Sequence, residues 1–259
     1  MYNNQAVKGG YHIRPVLFCG DISQKQEETL RALGYDPLRL PPFSLFDERV
    51  ASHPDMLLFP TKESILLHKA YYEEHQAFFE SLPFSFLLSN EEIGKDYPKD
   101  VLFNALPLYD TVYGGKNVSN KILSSFSHHV PVKQGYARCS SCRVGNGIIT
   151  QDKTIFLALQ KDGVEALLIS SGHIALPGYD TGFIGGASLT LSQTLTAFFG
   201  KIEDHPDFEI ISEFAHHQGA SLLSLSNEPL TDCGGGFLCT PNSLEFNVKV
   251  DNNYEMDLC

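Results

Sequence analysis

The sequence predicts a single α/β domain built from repeated units, and three observations carry that expectation. Short apolar runs alternate with amphipathic stretches along the chain, the pattern of strands and helices laid against one another. Gly-rich loops punctuate this alternation at intervals of roughly 50–70 residues, as expected when one supersecondary unit is used several times. No Pro- or Ser-rich linker divides the 259 residues, and a chain of this length can bury a substantial core. Residues 14–241 therefore read as one domain, flanked by an N-terminal extension (1–13) and a polar C-terminal tail (242–259).

The elements follow in order. "RPVLFCG" (14–20) is a short buried strand. "DISQKQEETLRALG" (21–34) is a helix with both ends marked, by a Ser-x-x-Gln capping box at Ser23 and Gln26 and by Gly34 as its stop. "HPDMLLFP" (53–60) reads as a strand. "TKESILLHKAYYEEHQAFFESL" (61–82) reads as one long helix, with Ile65, Leu66, Tyr72, Phe79 and Leu82 on its sheet-facing side. "FSFLLS" (84–89) and "DVLFNALP" (100–107) read as strands. In the second half "NGIITQD" (146–152) is a strand, "DKTIFLALQKDG" (152–163) a helix stopped by Gly163, and "EALLIS" (165–170) a strand. "TLTAFFG" (194–200) is a strand by its Thr and Phe content. "HPDFEIISEFAHHQGA" (205–220) is a helix stopped by Gly219, and "SLLSLS" (221–226) the strand after it. His-Pro-Asp occurs at 53–55 and again at 205–207, an echo too short to carry weight.

A longer echo invites interpretation. "ALPLYDTVYGG" (105–115) and "ALPGYDTGFIGGAS" (175–188) share six of seven positions, and each continues into a Gly-Gly pair. A third loop, "EPLTDCGGGFLCTP" (228–241), again carries an Asp and a Gly run. Asp110, Asp180 and Asp232 then read as copies of one position, each either capping its own turn or facing a shared cavity that holds a cation.

Composition bounds the function. The formal net charge is −12 with no cluster of Lys and Arg, which disfavours nucleic acid and anionic membranes as partners. The N-terminal residues lack the apolar core of a signal peptide, and no run approaches the length of a membrane span. The six cysteines read as reduced thiols; together these features predict a soluble cytoplasmic protein. Cys139 and Cys142 have the spacing of a zinc or redox pair, but a lone CxxC without a second ligand pair reads as buried structural cysteine. No metal and no cofactor is expected. His128–His129 and His216–His217 sit in polar loop or helix-end contexts, the second pair favouring its helix C-terminus through the dipole.

Three glycines, two apolar positions and a cysteine in "GGGFLC" resemble the nucleophile loop of the guanidino-group-modifying enzymes, the penteins, which include the agmatine and arginine deiminases and related hydrolases. "GYDTGFIGGAS" resembles their His-x-Asp-Thr-x-Phe loop. "QGYARCSSC…GIITQD", "LPGYDTGFIGGAS" and the late Leu-x-Asp loop together resemble an uncharacterised bacterial family of the same fold. The resemblance implies a pentein-like α/β propeller, five ββαβ units around a pseudo-fivefold axis, with the site at the centre. By the same resemblance Cys239 stands as nucleophile, Asp180 as substrate clamp and His173 as a displaced acid–base group, while Asp110, Tyr179, Asp180, Asp232 and Gly235 stand as ligand-binding residues.

Departures from the pattern count against standard chemistry. Tyr179 stands where the family has its catalytic histidine, and an ordinary phenol is a poor proton shuttle at neutral pH. Gln134 and Ala137 stand where carboxylates are expected. The leading expectation is therefore a pentein scaffold that has lost guanidine-modifying chemistry and binds a small polar or cationic molecule, or a protein partner, at its central face. The alternative is a cysteine-dependent hydrolase or amidinotransferase acting on a guanidine-like C–N substrate. Oligomeric state is left open.

Overall fold

Among the described residues, fifteen short strands form five separate three-stranded sheets, all built to one plan. The structure, a computed structural model, describes residues 15–239; the expected extension and tail, 1–13 and 242–259, lie outside them. In chain order the elements are β1 (Val16–Cys19), α1 (Gln24–Ala32), β2 (Asp36–Arg39), α2 (Pro54–Leu57), β3 (Leu58–Pro60), β4 (Ile65–His68), α3 (Lys69–Glu74), α4 (Gln76–Glu80) and β5 (Phe86–Ser89). There follow β6 (Leu106–Leu108), β7 (Thr111–Gly114), α5 (Asn120–Leu123), β8 (His128–Pro131), β9 (Ser141–Val144), β10 (Gly147–Thr150), α6 (Lys153–Lys161) and β11 (Ala166–Leu168). The last are β12 (Ser188–Ser192), β13 (Leu195–Phe198), α7 (Phe208–His217), β14 (Ser221–Ser224) and β15 (Gly236–Cys239).

In each sheet the middle strand pairs antiparallel on one side and, after a helical crossover, parallel on the other. Thus β4 joins β3 and β5, β7 joins β6 and β8, β10 joins β9 and β11, and β13 joins β12 and β14. The first unit is completed from the far end of the chain: β15 pairs antiparallel with β1, Val16 opposite Cys239 and Cys19 opposite Gly236, while β2 pairs on the other side.

Five apolar clusters fill the seams between successive units. Phe18, Phe43, Leu67 and Tyr71 join the first to the second, Phe59, Leu66, Val112 and Ile122 the second to the third, and Leu106, Tyr113, Ile148 and Leu159 the third to the fourth. Val144, Ile149, Phe198 and Ile211 join the fourth to the fifth, and Leu17, Leu30, Leu189 and Phe199 join the fifth back to the first. Successive residues of a strand point to opposite faces, so each middle strand feeds both of its seams. In β4, Ile65 and Leu67 enter one cluster and Leu66 the next; in β13, Ala197 and Phe198 divide in the same way. Burial on both faces is why these strands read as unbroken apolar runs rather than alternating ones.

Local signals hold where they were strong. Ser23 and Gln26 form the expected reciprocal capping box on α1. Asp152 caps α6 through the amides of Thr154 and Ile155. Gly34, Gly163 and Gly219 follow their helices with positive φ. Three expectations change. His53–Leu57 opens with a helical turn, Pro54 taking its first position, before β3 begins at Leu58. The long helix expected over 61–82 starts with β4: Ile65–Leu67 is the doubly buried strand of its unit, and the helical part is the broken pair α3 and α4. Residues 100–105 form no strand; Asp100 and Asn104 are buried polar groups there, and β6 starts at Leu106.

The two Tyr-Asp-Thr loops are not equivalent, which corrects the reading of them as copies. The first is the tip of the β6–β7 hairpin, inside one unit; the second lies between β11 and β12, joining two units. The true counterpart of the second is the Asp232 loop between β14 and β15, and the two run side by side, with Ala175 bridging Thr231 and accepting from the Asp232 amide at 2.8 Å.

Among the described residues no helix is long and apolar enough to cross a membrane. Cys19, Cys139, Cys142, Cys233 and Cys239 are all free thiols and buried; Cys259 lies outside the described residues.

The seams make a direct prediction. Phe198 is fully buried between the fourth and fifth units, so Phe198→Ala should lower the unfolding free energy by about 3–5 kcal/mol in urea titration. Leu157, 52 % exposed on α6, should tolerate Ala within about 0.5 kcal/mol. Equal effects at the two positions would contradict the seam assignment.

Candidate functional site

Because each unit ends on the outer strand of its sheet and the next begins on an inner one, five connecting loops run back between units. Each brings a polar or glycine residue to one place. Loop 40–57 contributes His53 and Asp55, loop 90–105 Asn104, loop 132–140 Arg138 and Cys139, loop 169–187 Phe183 and Gly186, and loop 225–235 Asp232 and Gly234.

Asp232 is the hub. Its two carboxylate oxygens accept the amides of Phe183 and Gly234, each at 2.9 Å. His53 Nδ1 lies 3.8 Å from Oδ1, and the Cys139 thiol 3.9 Å from Oδ2. A methyl group at Gly186 would stand 2.0 Å from Oδ1, so only glycine lets loop 169–187 lie against this carboxylate. The Gly186 carbonyl in turn accepts the amides of Cys233 at 3.0 Å and Gly235 at 2.7 Å, and its own amide donates to the Cys139 carbonyl at 3.0 Å. Asn104, fully buried, accepts the Arg138 and Cys139 amides on Oδ1 at 2.9 and 3.1 Å. The Arg138 guanidinium lies 3.8 Å over the Phe237 ring and donates to the Gly236 carbonyl.

Asp55 is the unusual member. It is 1 % exposed, its amide donates to the Gly234 carbonyl, and no N–H or O–H reaches either side-chain oxygen, the weakly donating Cys139 thiol lying beside them. Asn104 Nδ2 is likewise buried without a partner, as are Ser140 Oγ and Ser141 Oγ, which follow Cys139 in the chain. An unpartnered buried polar atom carries a desolvation cost of about 1–3 kcal/mol, so a concentration of them marks a place suited to an occupant.

The electrostatics follow from burial. Asp55 is pushed up to about 7, first by desolvation and then by the charge of Asp232, with Cys139 and Arg138 pulling the other way. Burial also raises Asp232, against the opposing pull of His53 and the two amides. Cys139 is driven well above the ordinary thiol range by burial and by both carboxylates, so it is a neutral thiol. Burial lowers His53, and it brings Arg138 down to about 10, still protonated at neutral pH. Two carboxylates and a thiol thus face one another with a single guanidinium among them, and an added cation would relieve the repulsion. Among the described residues no group of three or more His, Cys, Asp or Glu side chains has the arrangement to hold a metal ion.

Of the residues that the sequence singled out, Asp232 and Gly235 lie at this centre. Cys239 does not: it ends β15 inside the apolar seam of the first and second units, 1 % exposed, and burial raises its thiol to about 12. His173 is exposed in loop 169–187 with its ring 5.5 Å from that of His205, whereas Cys239 lies in the seam of the first and second units. Asp180 is exposed in the same loop, and Asp110 is exposed at the hairpin tip, where Ser127 lowers its carboxyl. Tyr179 is 44 % exposed, with the Arg49 guanidinium 4.6 Å over its ring. Gln134 bonds Asp152 and the Tyr136 amide, and Ala137 fills the third seam.

His53, Asp55, Asn104, Arg138 and Cys139 were not expected here. Their only traces in the sequence are the His-Pro-Asp tripeptide at 53–55 and the first cysteine of the CxxC pair. The second thiol, Cys142, faces the fourth seam from β9.

The chain matches, over residues 18–237, the model of a family described as "Family of unknown function (DUF6873)", and it belongs to that family. No curated protein matches it. Among solved structures it is similar to C. jejuni agmatine deiminase (7% identity, TM-score 0.54, covering 87% of this chain and 92% of that one). It is also similar to a dimethylarginine dimethylaminohydrolase variant in adduct with S-methyl-L-thiocitrulline (8% identity, TM-score 0.52, 83% and 93% covered). A Pseudomonas aeruginosa dimethylarginine dimethylaminohydrolase variant complexed with citrulline matches at 9% identity and TM-score 0.50, with the same coverage. The fold is that of the penteins.

Burial of Asp55 sets a pH dependence. A carboxyl raised by folding stabilises the native state most below the ordinary carboxylate range, and that contribution is lost as pH rises toward about 7. Asp55→Asn removes the titration. Its unfolding free energy should therefore gain on that of the natural protein between about pH 4 and pH 7, by up to about 1.4 kcal/mol per pH unit, and level off above about pH 7. A difference that stays constant across this range would contradict the placement of Asp55.

Proposed function

We propose that this pentein-fold protein binds a small cationic molecule of the guanidine or amine class at its five-loop centre, without the thiolate chemistry of a guanidine-modifying enzyme. The observation that carries the reading is Asp55: a buried carboxyl with both oxygens unpartnered, beside Asp232 and a thiol. A guanidinium or ammonium brings hydrogen-bond donors to Asp55 and a second positive charge to a place where two carboxylates share Arg138 alone. The solved neighbours named for agmatine and dimethylarginine chemistry make arginine-like cations the first to test. The burial of the carboxylates favours a small molecule over a protein partner at this face.

The case against standard catalysis is electrostatic. A nucleophilic cysteine needs a nearby positive charge to ionise at neutral pH. Burial and two carboxylates hold Cys139 in its neutral form despite the Arg138 guanidinium nearby, and Cys239 lies in an apolar seam, apart from His173. The hydrolase reading built on Cys239, His173 and Asp180 has no corresponding support.

Arginine, agmatine and methylguanidine at millimolar concentration should raise the melting temperature by a few degrees through mass action, and Asp55→Asn should abolish the shift. No shift with any of the three would overturn the proposal. Iodoacetamide near neutral pH should label Cys139 and Cys239 no faster than an ordinary exposed thiol. Rapid, selective labelling of Cys239 would instead reinstate the hydrolase.

A further inference from the structure

A second buried carboxyl lies outside the central cluster. Asp100, on loop 90–105, is 5 % exposed; Oδ2 accepts the Tyr136 hydroxyl at 2.6 Å, and Oδ1 is buried with no partner. Burial raises its carboxyl, and the Tyr136 hydroxyl offsets this only in part. Around it the loops supply rings. Tyr97, Tyr136 and Phe183 form a row with centroids 5.8 and 5.9 Å apart and planes tilted by 36° and 31°. The row runs from solvent, where Tyr97 is 59 % exposed, to Phe183, whose amide holds Asp232. Tyr179 stands close enough for its hydroxyl to feel the Asp100 charge, and its ring already carries a cation, Arg49.

We propose that Asp100 with the rings of Tyr97 and Tyr136 is a second cation subsite, on the aromatic row that leads in to Phe183, selective for an alkylated ammonium over a guanidinium. The selectivity is a matter of counting donors. Asp100 has one carboxylate oxygen to offer, and the other surfaces named are aromatic faces. A guanidinium would leave most of its five N–H groups unpaired there, each at a desolvation cost. A tertiary or quaternary ammonium has one N–H or none, and its methyl groups carry positive charge onto ring faces. Tyr97 is the ring that must move to admit it, and what it rests on is Gly135: a methyl group there would stand 2.6 Å from Tyr97 Cε2.

The test is calorimetric titration of the full chain with choline and tetramethylammonium, with methylguanidine for comparison and sodium chloride at matched ionic strength as blank. Both quaternary ions should bind, and Asp100→Asn should weaken them at least tenfold. Gly135→Ala, which displaces Tyr97 while keeping it, should change choline affinity severalfold, and circular dichroism of both variants should match the natural protein. Asp55→Asn should leave choline binding unchanged, so this proposal and the central site fail separately. No binding of either quaternary ion, or undiminished binding to Asp100→Asn, would overturn the subsite. Loss of choline binding in Asp55→Asn would also overturn it, by placing the ion at the centre. If Asp100→Asn does not fold, unchanged choline affinity in Gly135→Ala decides against the subsite.

Discussion

Everything in this fold depends on the pairing of its last described strand with its first. Without β15 on β1 the chain would be four units and an incomplete fifth, with two apolar seams open to water. With it, the seams close into a ring in which every middle strand is buried on both faces. Each seam draws on neighbours in both directions, so no unit carries a core of its own. The same closure turns the five connecting loops toward one another, and it is this topology, rather than any local motif, that makes a centre.

The centre shows how such a ring tolerates buried charge. Asp232 is held by amides from two different loops and approached by His53 from a third. The Gly186 carbonyl ties the Asp232 loop down through two further amides. Asp55 receives no amide on its carboxylate, and Cys139 and Arg138 offset its desolvation only in part. In a protein only marginally stable as a whole, a carboxyl kept in that state is a local deficit that an incoming cation would remove. The same carboxylates that invite a cation keep the nearby thiol neutral, so binding and cysteine nucleophilicity are opposed at this position.

What was legible in the sequence was what is decided locally. The capping box of α1, the helices α6 and α7 with their glycine stops, and the apolar strands β1, β10 and β13 all depend on neighbours a few residues away. Ile65–Leu67 escaped because an apolar run followed by Tyr72 and Phe79 satisfies helical spacing, and only burial on both faces shows it to be a strand. The site was harder still. Each loop gives one or two residues with no common spacing, so His53, Asp55, Asn104 and Arg138 carry no signature until the ring brings them together. Asp232 and Gly235 were found because loop 225–235 is the one loop whose glycines spell a pattern. The motif that located the loop pointed four residues beyond it, at the seam cysteine Cys239.

The Tyr-Asp-Thr echo shows the limit of sequence identity most sharply. Six of seven residues agree, yet the copies fold differently, and the one that differs explains why. Leu108 in the first copy stays extended as the end of β6, opposite Thr111, so the chain must reverse over Tyr109 and Asp110 alone. Tyr109 then takes φ 55°, a conformation uncommon for a residue with a side chain. In the second copy Gly178 takes φ 82° directly after Pro177, and the Tyr179 amide closes onto the Leu176 carbonyl at 3.0 Å. Proline followed by a left-handed glycine is the grammar of a type II turn. The chain therefore reverses two residues earlier, Tyr179 follows the turn instead of making it, and its ring lies beneath Arg49. A single methylene-bearing side chain, present or absent, decides whether the same words make a hairpin tip or a rim of the central face.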